Sequence, residues 1–231
     1  MKVLKWIVAG ICSFCIIGSI LFTAVDLASV GDKQFYRQQY SQNGTYEFID
    51  ISEYNLMRVT DVLLNYMTGH RTTLDMKIDY NGSVKEFFDD TEKIRMQDVR
   101  NLYVGGIKLR RFLIMLAGVC LVGLKALNAS IRKTLPRAYV ACTVIFGAVS
   151  AFLGIYISCD FTNAFVKFHK ILFDNNMWIL DSKTSKLIHM VPQQFFINLV
   201  ERIGFYFVSA AFIVAVLAAI EIYRDKKAQG D

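Results

Sequence analysis

Four long apolar stretches punctuate the chain: Trp6 to Val25, Phe112 to Ile131, Ala138 to Cys159 and Ile203 to Ile220. Only Lys125 places a formal charge inside one of them. Each approaches the ~20 residues that a ~30 Å hydrocarbon core requires. Lipid offers no partner for backbone N–H and C=O groups, so runs of this kind read as helices rather than barrel strands. The expected fold is membrane α-helical, with four transmembrane helices and a small α+β cap outside the membrane.

Between the first two runs the pattern changes to that of a folded segment. Leu56, Val59, Leu63 and Tyr66 recur at helical spacing, with Ser52 as the N-cap and Gly69 as the stop. Leu74, Met76, Ile78 and Tyr80 alternate, and Asn81-Gly82 supplies the favoured two-residue turn into a second strand over Ser83 to Phe87. A further helix begins near Thr91 and runs through Ile94, Met96, Val99, Leu102 and Tyr103 towards the second apolar run. Asn43-Gly44-Thr45 and Asn81-Gly82-Ser83 also fit glycosylation sequons, and the strength of Asn-Gly as a turn signal favours turns.

Ahead of the last run the segment is rich in aromatics. Phe161, Phe165, Phe168 and Leu172 share one helical stripe, with His169 beside it and Phe173 one turn further. Trp178, inside Met177-Trp178-Ile179-Leu180-Asp181, then Pro192 and Phe195-Phe196 follow. An aromatic belt at the water–lipid boundary is ordinary.

Charge orients the chain. The net charge is +6 and the isoelectric point about 9.0. The whole excess lies beside one set of helix ends, on Lys2, Lys5, Lys125, Arg132, Lys133, Arg137, Arg224, Lys226 and Lys227 against Glu221, Asp225 and Asp231, while segments 26–111 and 160–202 together balance to zero. An excess of Lys and Arg on short flanks marks the cytoplasmic face, so both termini are expected there and localisation is the cell membrane, multi-pass. The expected division is a first transmembrane helix at 1–27, an extracellular cap at 28–109, a second helix at 110–131 and a cytoplasmic loop at 132–137. A third helix at 138–159, an extracellular aromatic-rich segment at 160–202, a fourth helix at 203–222 and a cytoplasmic tail at 223–231 complete it. The basic balance reads as topogenesis and headgroup attraction; no motif points to nucleic acid. The first run also has the basic flank of a signal peptide, but it is longer than a usual apolar core and lacks a small-x-small cleavage site, so retention as an anchor is expected.

Candidate chemistry is sparse. Cys12, Cys15, Cys120 and Cys142 lie in the apolar runs, where thiols act as small packers, and Cys159 stands alone at the outer edge. No metal-ligand spacing or phosphate loop appears, and no cofactor is expected. The runs hold no Asp, Glu or His pathway of the kind a transporter shows. His169 among aromatics offers a general base set against acyl chains; an interfacial histidine that only hydrogen-bonds is the plainer reading of the same residues.

Two blocks resemble the lipoprotein intramolecular transacylase family, Lit, of Gram-positive bacteria. Phe88-Asp89-Asp90-Thr91-Glu92-Lys93-Ile94-Arg95-Met96-Gln97-Asp98-Val99-Arg100 is similar to the family's F-x-x-x-E-x-x-H-M-x-D-V-[KR] segment. Phe168-His169-Lys170-Ile171-Leu172-Phe173, followed by Trp178 to Asp181 and Pro192 to Phe196, is similar to its second block. The resemblance implies an acyltransferase that moves the acyl chain from the sn-2 ester of a diacylglyceryl lipoprotein to the amine of its N-terminal cysteine. It implies His169 and Arg95 as catalytic residues, and Asp98, Glu92, Phe165, Phe168, Phe173, Trp178 and Tyr103 as substrate contacts. It implies a diacylglyceryl lipoprotein or membrane lipid as partner. Arg95 stands where the family has its first histidine. A guanidinium stays protonated near neutral pH, so it can stabilise an oxyanion or pair with Glu92 and Asp98 but cannot cycle a proton. His189 is a candidate replacement imidazole, and His70 reads as a surface residue. Tyr103 and Tyr139 are candidate phenolic donors. The alternative is a non-catalytic relative that binds lipid or lipoprotein at the outer face.

Overall fold

The computed structural model describes residues 2–80, 83–172 and 185–230. They form nine helices and one two-stranded sheet. Helices α1 (Lys2–Ser29), α2 (Lys33–Gln42), α3 (Thr45–Ile49) and α4 (Glu53–Met67) precede strands β1 (Lys77–Tyr80) and β2 (Ser83–Glu86). Helices α5 (Asp90–Ala126), α6 (Ile131–Cys159), α7 (Phe161–Leu172), α8 (Lys186–Met190) and α9 (Gln193–Gly230) complete the order. The chain divides into two compact units. One comprises Met1–Val25, Lys108–Ala164 and Ile203–Asp231; the other comprises Asp26–Ile107 and Phe165–Arg202.

In the second unit, local signals fix the ends of several elements. Ser52 caps α4 by accepting from the Asn55 amide at 3.3 Å, and Asp32 caps α2 by accepting from the Gln34 amide at 2.8 Å. Gly69, at φ 82°, follows the end of α4 in the left-handed region that a glycine adopts without a steric cost. β1 and β2 pair antiparallel from Lys77 opposite Glu86 to Tyr80 opposite Ser83, which leaves two residues for the turn. The expected turn at Asn81-Gly82 falls outside the described residues.

The core of this unit gathers Leu56, Val59 and Leu63 from α4, Met76 and Ile78 from the first strand region, Phe87 and Phe88, and Tyr40 from α2. Tyr40 is fully buried, and its hydroxyl meets Thr60 Oγ1 at 2.8 Å. Thr60 donates its one proton to the Leu56 carbonyl at 2.9 Å, so Tyr40 is the donor in that pair. Burial pushes the Tyr40 phenol well above its ordinary value.

The first unit contains most of α1, the second half of α5, α6 and most of α9. Gly18 of α1 lets Leu113 of α5 approach so closely that a Cβ there would lie 2.9 Å from its Cδ1. Ile17, Tyr139 and Ala218 form one buried cluster, and Ala9, Leu124 and Ala138 another. Asp225 of α9 accepts from Lys133 and Arg137 of α6, each at 2.8 Å. Lys5 donates to the Asn128 carbonyl at 3.0 Å.

Among the described residues, three helices are long and apolar enough to cross a membrane: α1, α6 and α9. The second apolar run does not continue as one helix to Ile131. Helix α5 ends at Ala126, Asn128 turns the chain at φ 54°, and Ile131 opens α6. Asparagine tolerates the left-handed conformation, so the run is divided between two helices and a tight turn.

Candidate functional site

His169 sits near the C-terminal end of α7. Its Nδ1 lies 2.8 Å from the Phe165 carbonyl, one turn back. A carbonyl only accepts, so Nδ1 carries the proton in this contact, and the lone pair of the neutral imidazole resides on Nε2. The ring is half-buried between Phe165, at a centroid distance of 4.1 Å, and Phe168, at 5.5 Å. Phe165 continues into Phe196 at 5.6 Å, Phe196 into Phe195 at 5.8 Å, and Phe195 into Phe35 and Tyr36, both at 5.3 Å. A line of ring contacts thus anchors the imidazole to the buried aromatics of α2. Phe195 is 2% exposed, whereas Phe168 at 54% presents an open face.

Arg95 lies in the second turn of α5 and is buried. Burial pulls its guanidinium below the ordinary value, and the carboxylates of Asp89 and Glu92 oppose that shift. An arginine lowered in this way still carries its charge at neutral pH.

Glu92, 1% exposed, has a structural environment that spacing alone did not reveal. Its amide donates to Asp89 Oδ1 at 2.8 Å, and the Asp89 amide donates back to Glu92 Oε2 at 3.2 Å. This is a reciprocal capping box that starts α5, legible in Asp89-x-x-Glu92. The remaining oxygen, Oε1, accepts from the Ser185 hydroxyl at 2.7 Å and the Leu187 amide at 2.8 Å, so the same carboxylate also holds the start of α8.

The other candidates are distributed over both units. Asp98 is half-buried on α5. Tyr103 donates its phenolic proton to Asp26 near the end of α1, a partner 77 positions away that spacing does not suggest. His189 stacks on Phe48 with centroids 3.3 Å apart, and its carbonyl accepts from Thr45 Oγ1 at 2.9 Å. His70 is exposed, with Nδ1 2.8 Å from Thr68 Oγ1. Tyr139, in the other unit, donates to the Ala211 carbonyl at 3.4 Å. Phe173 and Trp178 lie outside the described residues. No cluster of metal-ligating side chains forms among the described residues.

The family model described as "Lipoprotein intramolecular transacylase Lit" matches residues 10–196. Among solved structures, the membrane integral lipoprotein intramolecular transacylase Lit from Bacillus cereus is similar with a TM-score of 0.77 at 21% identity, over 98% of this chain and 100% of that one. A variant of that protein carrying a histidine-to-arginine mutation is similar with a TM-score of 0.74 at 21% identity, over 98% and 96% of the two chains. Its histidine-to-alanine counterpart has a TM-score of 0.74 at 20% identity, over 98% and 97%. No curated protein matches the sequence.

Proposed function

The chain belongs to the lipoprotein intramolecular transacylase family, and from that premise we propose that it moves an acyl chain within a diacylglyceryl lipoprotein at the outer membrane face. The amine of the lipidated N-terminal cysteine attacks the carbonyl carbon of the sn-2 ester. A C–N bond forms, the C–O bond to the sn-2 oxygen breaks, the nitrogen loses a proton and the oxygen gains one. Amine and ester belong to one molecule, so holding them together contributes much of the rate.

The observation that carries this reading is the Nδ1 contact of His169 with the Phe165 carbonyl, which leaves Nε2 as the basic nitrogen. Nε2 takes the amine proton and returns it to the departing sn-2 oxygen. Arg95 supplies fixed positive charge for the oxyanion that forms between these steps. Phe165, Phe168 and, by the family resemblance, Phe173 and Trp178 line the acyl chain and exclude water. Asp98 and Tyr103 are assigned to the polar end of the substrate, with Tyr103 oriented by Asp26.

In this reading the protein has four spans. The second is the Phe112 to Ala126 part of α5, about 22 Å long at the helical rise. Arg111 and Lys125 at its ends reach the two interfaces by extending their side chains. Four crossings return both termini to the basic, cytoplasmic side.

One observation favours a second reading, a non-catalytic relative that binds lipid or lipoprotein. Arg95 cannot exchange a proton near neutral pH as an imidazole does. Mass spectrometry of N-terminal lipopeptides separates the two, using a host that makes only diacylglyceryl lipoproteins and expresses the wild type or His169→Ala. N-acyl, monoacylglyceryl peptides from wild type alone support transacylation. Unaltered peptides in the presence of folded membrane protein overturn it.

A further inference from the structure

Helix α7 carries an apolar arc that only partly meets protein. Phe165 packs on Phe196, whereas Phe168 is 54% and Ile171 81% exposed. Ala164, Phe168 and Ile171 follow the i, i+4, i+7 spacing of one helix face. Lys167 and Lys170 are exposed, and the helix holds no acid. An amphipathic helix with lysines on its polar side suits the boundary between acyl chains and anionic headgroups.

The chain reaches α7 directly from a helix suited to lipid. Phe152 and Ile155 of α6 are 71% and 66% exposed, and α6 ends at Cys159. Asp160 leaves the helical conformation at φ −154° and caps α7 by accepting from the Asn163 amide at 2.9 Å. A helix that starts one residue after an apolar span ends starts at the membrane surface.

We propose, on the basis of the acyl-transfer reading above, that α7 lies in the outer leaflet of an anionic membrane with Phe168 and Ile171 among the acyl chains, which holds His169 at the depth of the glycerol esters. Consecutive residues of a helix stand about 100° apart around its axis. With Phe168 directed into the acyl layer, Lys167 and His169 flank it on either side at the interface. The lysine meets headgroup phosphates, and the imidazole meets the level at which an sn-2 ester lies.

Spin-label accessibility tests this in the full-length protein, reconstituted in vesicles of phosphatidylcholine and phosphatidylglycerol, on a Cys159→Ser background. Labels at positions 168 and 171 should collide more with oxygen than with a water-soluble nickel chelate, and labels at 167 and 170 should show the reverse. Labels at 168 and 171 open to the chelate, or shielded from both agents, would overturn insertion. Quenching of a Phe168→Trp variant by brominated lipids gives the same answer without labelling. Ile171→Asp should lower lipopeptide conversion about tenfold or more by displacing the imidazole. His169→Ala should abolish conversion and leave the accessibility pattern unchanged. The pattern without any wild-type N-acyl product would sink the acyl-transfer reading and keep insertion; product without the pattern would do the opposite.

Discussion

The hydroxyl of Ser185 donates to Oε1 of Glu92 at 2.7 Å, joining two buried residues 93 positions apart. The same oxygen accepts from the Leu187 amide, and the Ser185 hydroxyl oxygen accepts from the Ile188 amide at 3.4 Å as the N-cap of α8. One carboxylate therefore starts two helices: α5, which carries Arg95, and α8. Glu92→Gln keeps the size of the side chain but presents an NH2 group where an acceptor is needed. At least one buried donor then loses its partner, at a cost of about 1–3 kcal/mol. A lower thermal midpoint of the detergent-solubilised protein is expected. Ser185→Ala should cost less, and the double variant less than the sum, because the two changes remove a shared bond. An unaltered midpoint for Glu92→Gln would show that water replaces these bonds.

Arg95 offers a sharper test of chemistry. If its charge stabilises the oxyanion, Arg95→Ala lowers conversion by about 10²–10³-fold, the usual loss for one such donor. Arg95→Lys retains a charge without the planar fork and should fall between the two. Arg95→His installs a second imidazole, so the pH profile of its conversion should differ in shape from that of the wild type, in which the charge at position 95 does not change near neutral pH. Equal conversion by wild type and Arg95→Ala, measured on lipopeptides, would remove Arg95 from the reaction.

The elements that were legible in the sequence are those with local signals. Ser52 and Gly69 bracket α4, and the alternation up to Tyr80 and the run from Ser83 supply two paired strands. Helix α2 was not legible because its sequence, KQFYRQQYSQ, is polar apart from Phe35, Tyr36 and Tyr40, and tertiary packing of those rings holds it. Helices α3 and α8 have five residues each, too few for a period to emerge. The end of α5 is hidden in the sequence because apolar character continues past Ala126, although Asn128 and Ser130 mark a turn and a new helix start. At the candidate site, His169 was visible from its aromatic company. The bonds of Glu92 were half visible: Asp89-x-x-Glu92 is a local pattern, but Ser185 lies too far along the chain for spacing to suggest it.

Asp32 provides a pH test of the cap. The side-chain hydrogen bond from Arg202, then the Gln34 amide, holds its carboxyl below the ordinary carboxylate range. A carboxyl that ionises at lower pH in the folded state contributes stability in full above its unfolded pKa, about 3.9. That contribution disappears as pH falls through the folded value. Asp32→Asn keeps the N-cap acceptor but loses the ion pair. Because Asp32 is 43% exposed, the pair contributes less than about 1 kcal/mol. The wild type should exceed Asp32→Asn in thermal midpoint at pH 7, and the gap should close below about pH 4. A gap that persists unchanged in acid would assign the effect to packing of Arg202 on Phe35, whose ring lies 4.9 Å from the guanidinium.

Topology depends on whether the Phe112 to Ala126 part of α5 crosses the membrane. If only α1, α6 and α9 cross, the two termini lie on opposite sides; if α5 crosses as well, they share one. The basic residues bear on this choice, because Lys125, Arg132, Lys133 and Arg137 surround the turn at Asn128, and Lys133 and Arg137 pair with Asp225 in the C-terminal part of α9. A turn and a C-terminal helix end tied together by ion pairs belong on one side, and under the proposed four-span reading their excess of Lys and Arg assigns that side to the cytoplasm. Reporter fusions at either terminus should therefore be active only as cytoplasmic reporters. In intact cells, a membrane-impermeant maleimide should label Cys159, which is exposed, and spare Cys12, Cys15 and Cys120, which are buried. Labelling of Cys159 only after the membrane is opened would place the end of α6 inside, and with it the aromatic segment that carries His169.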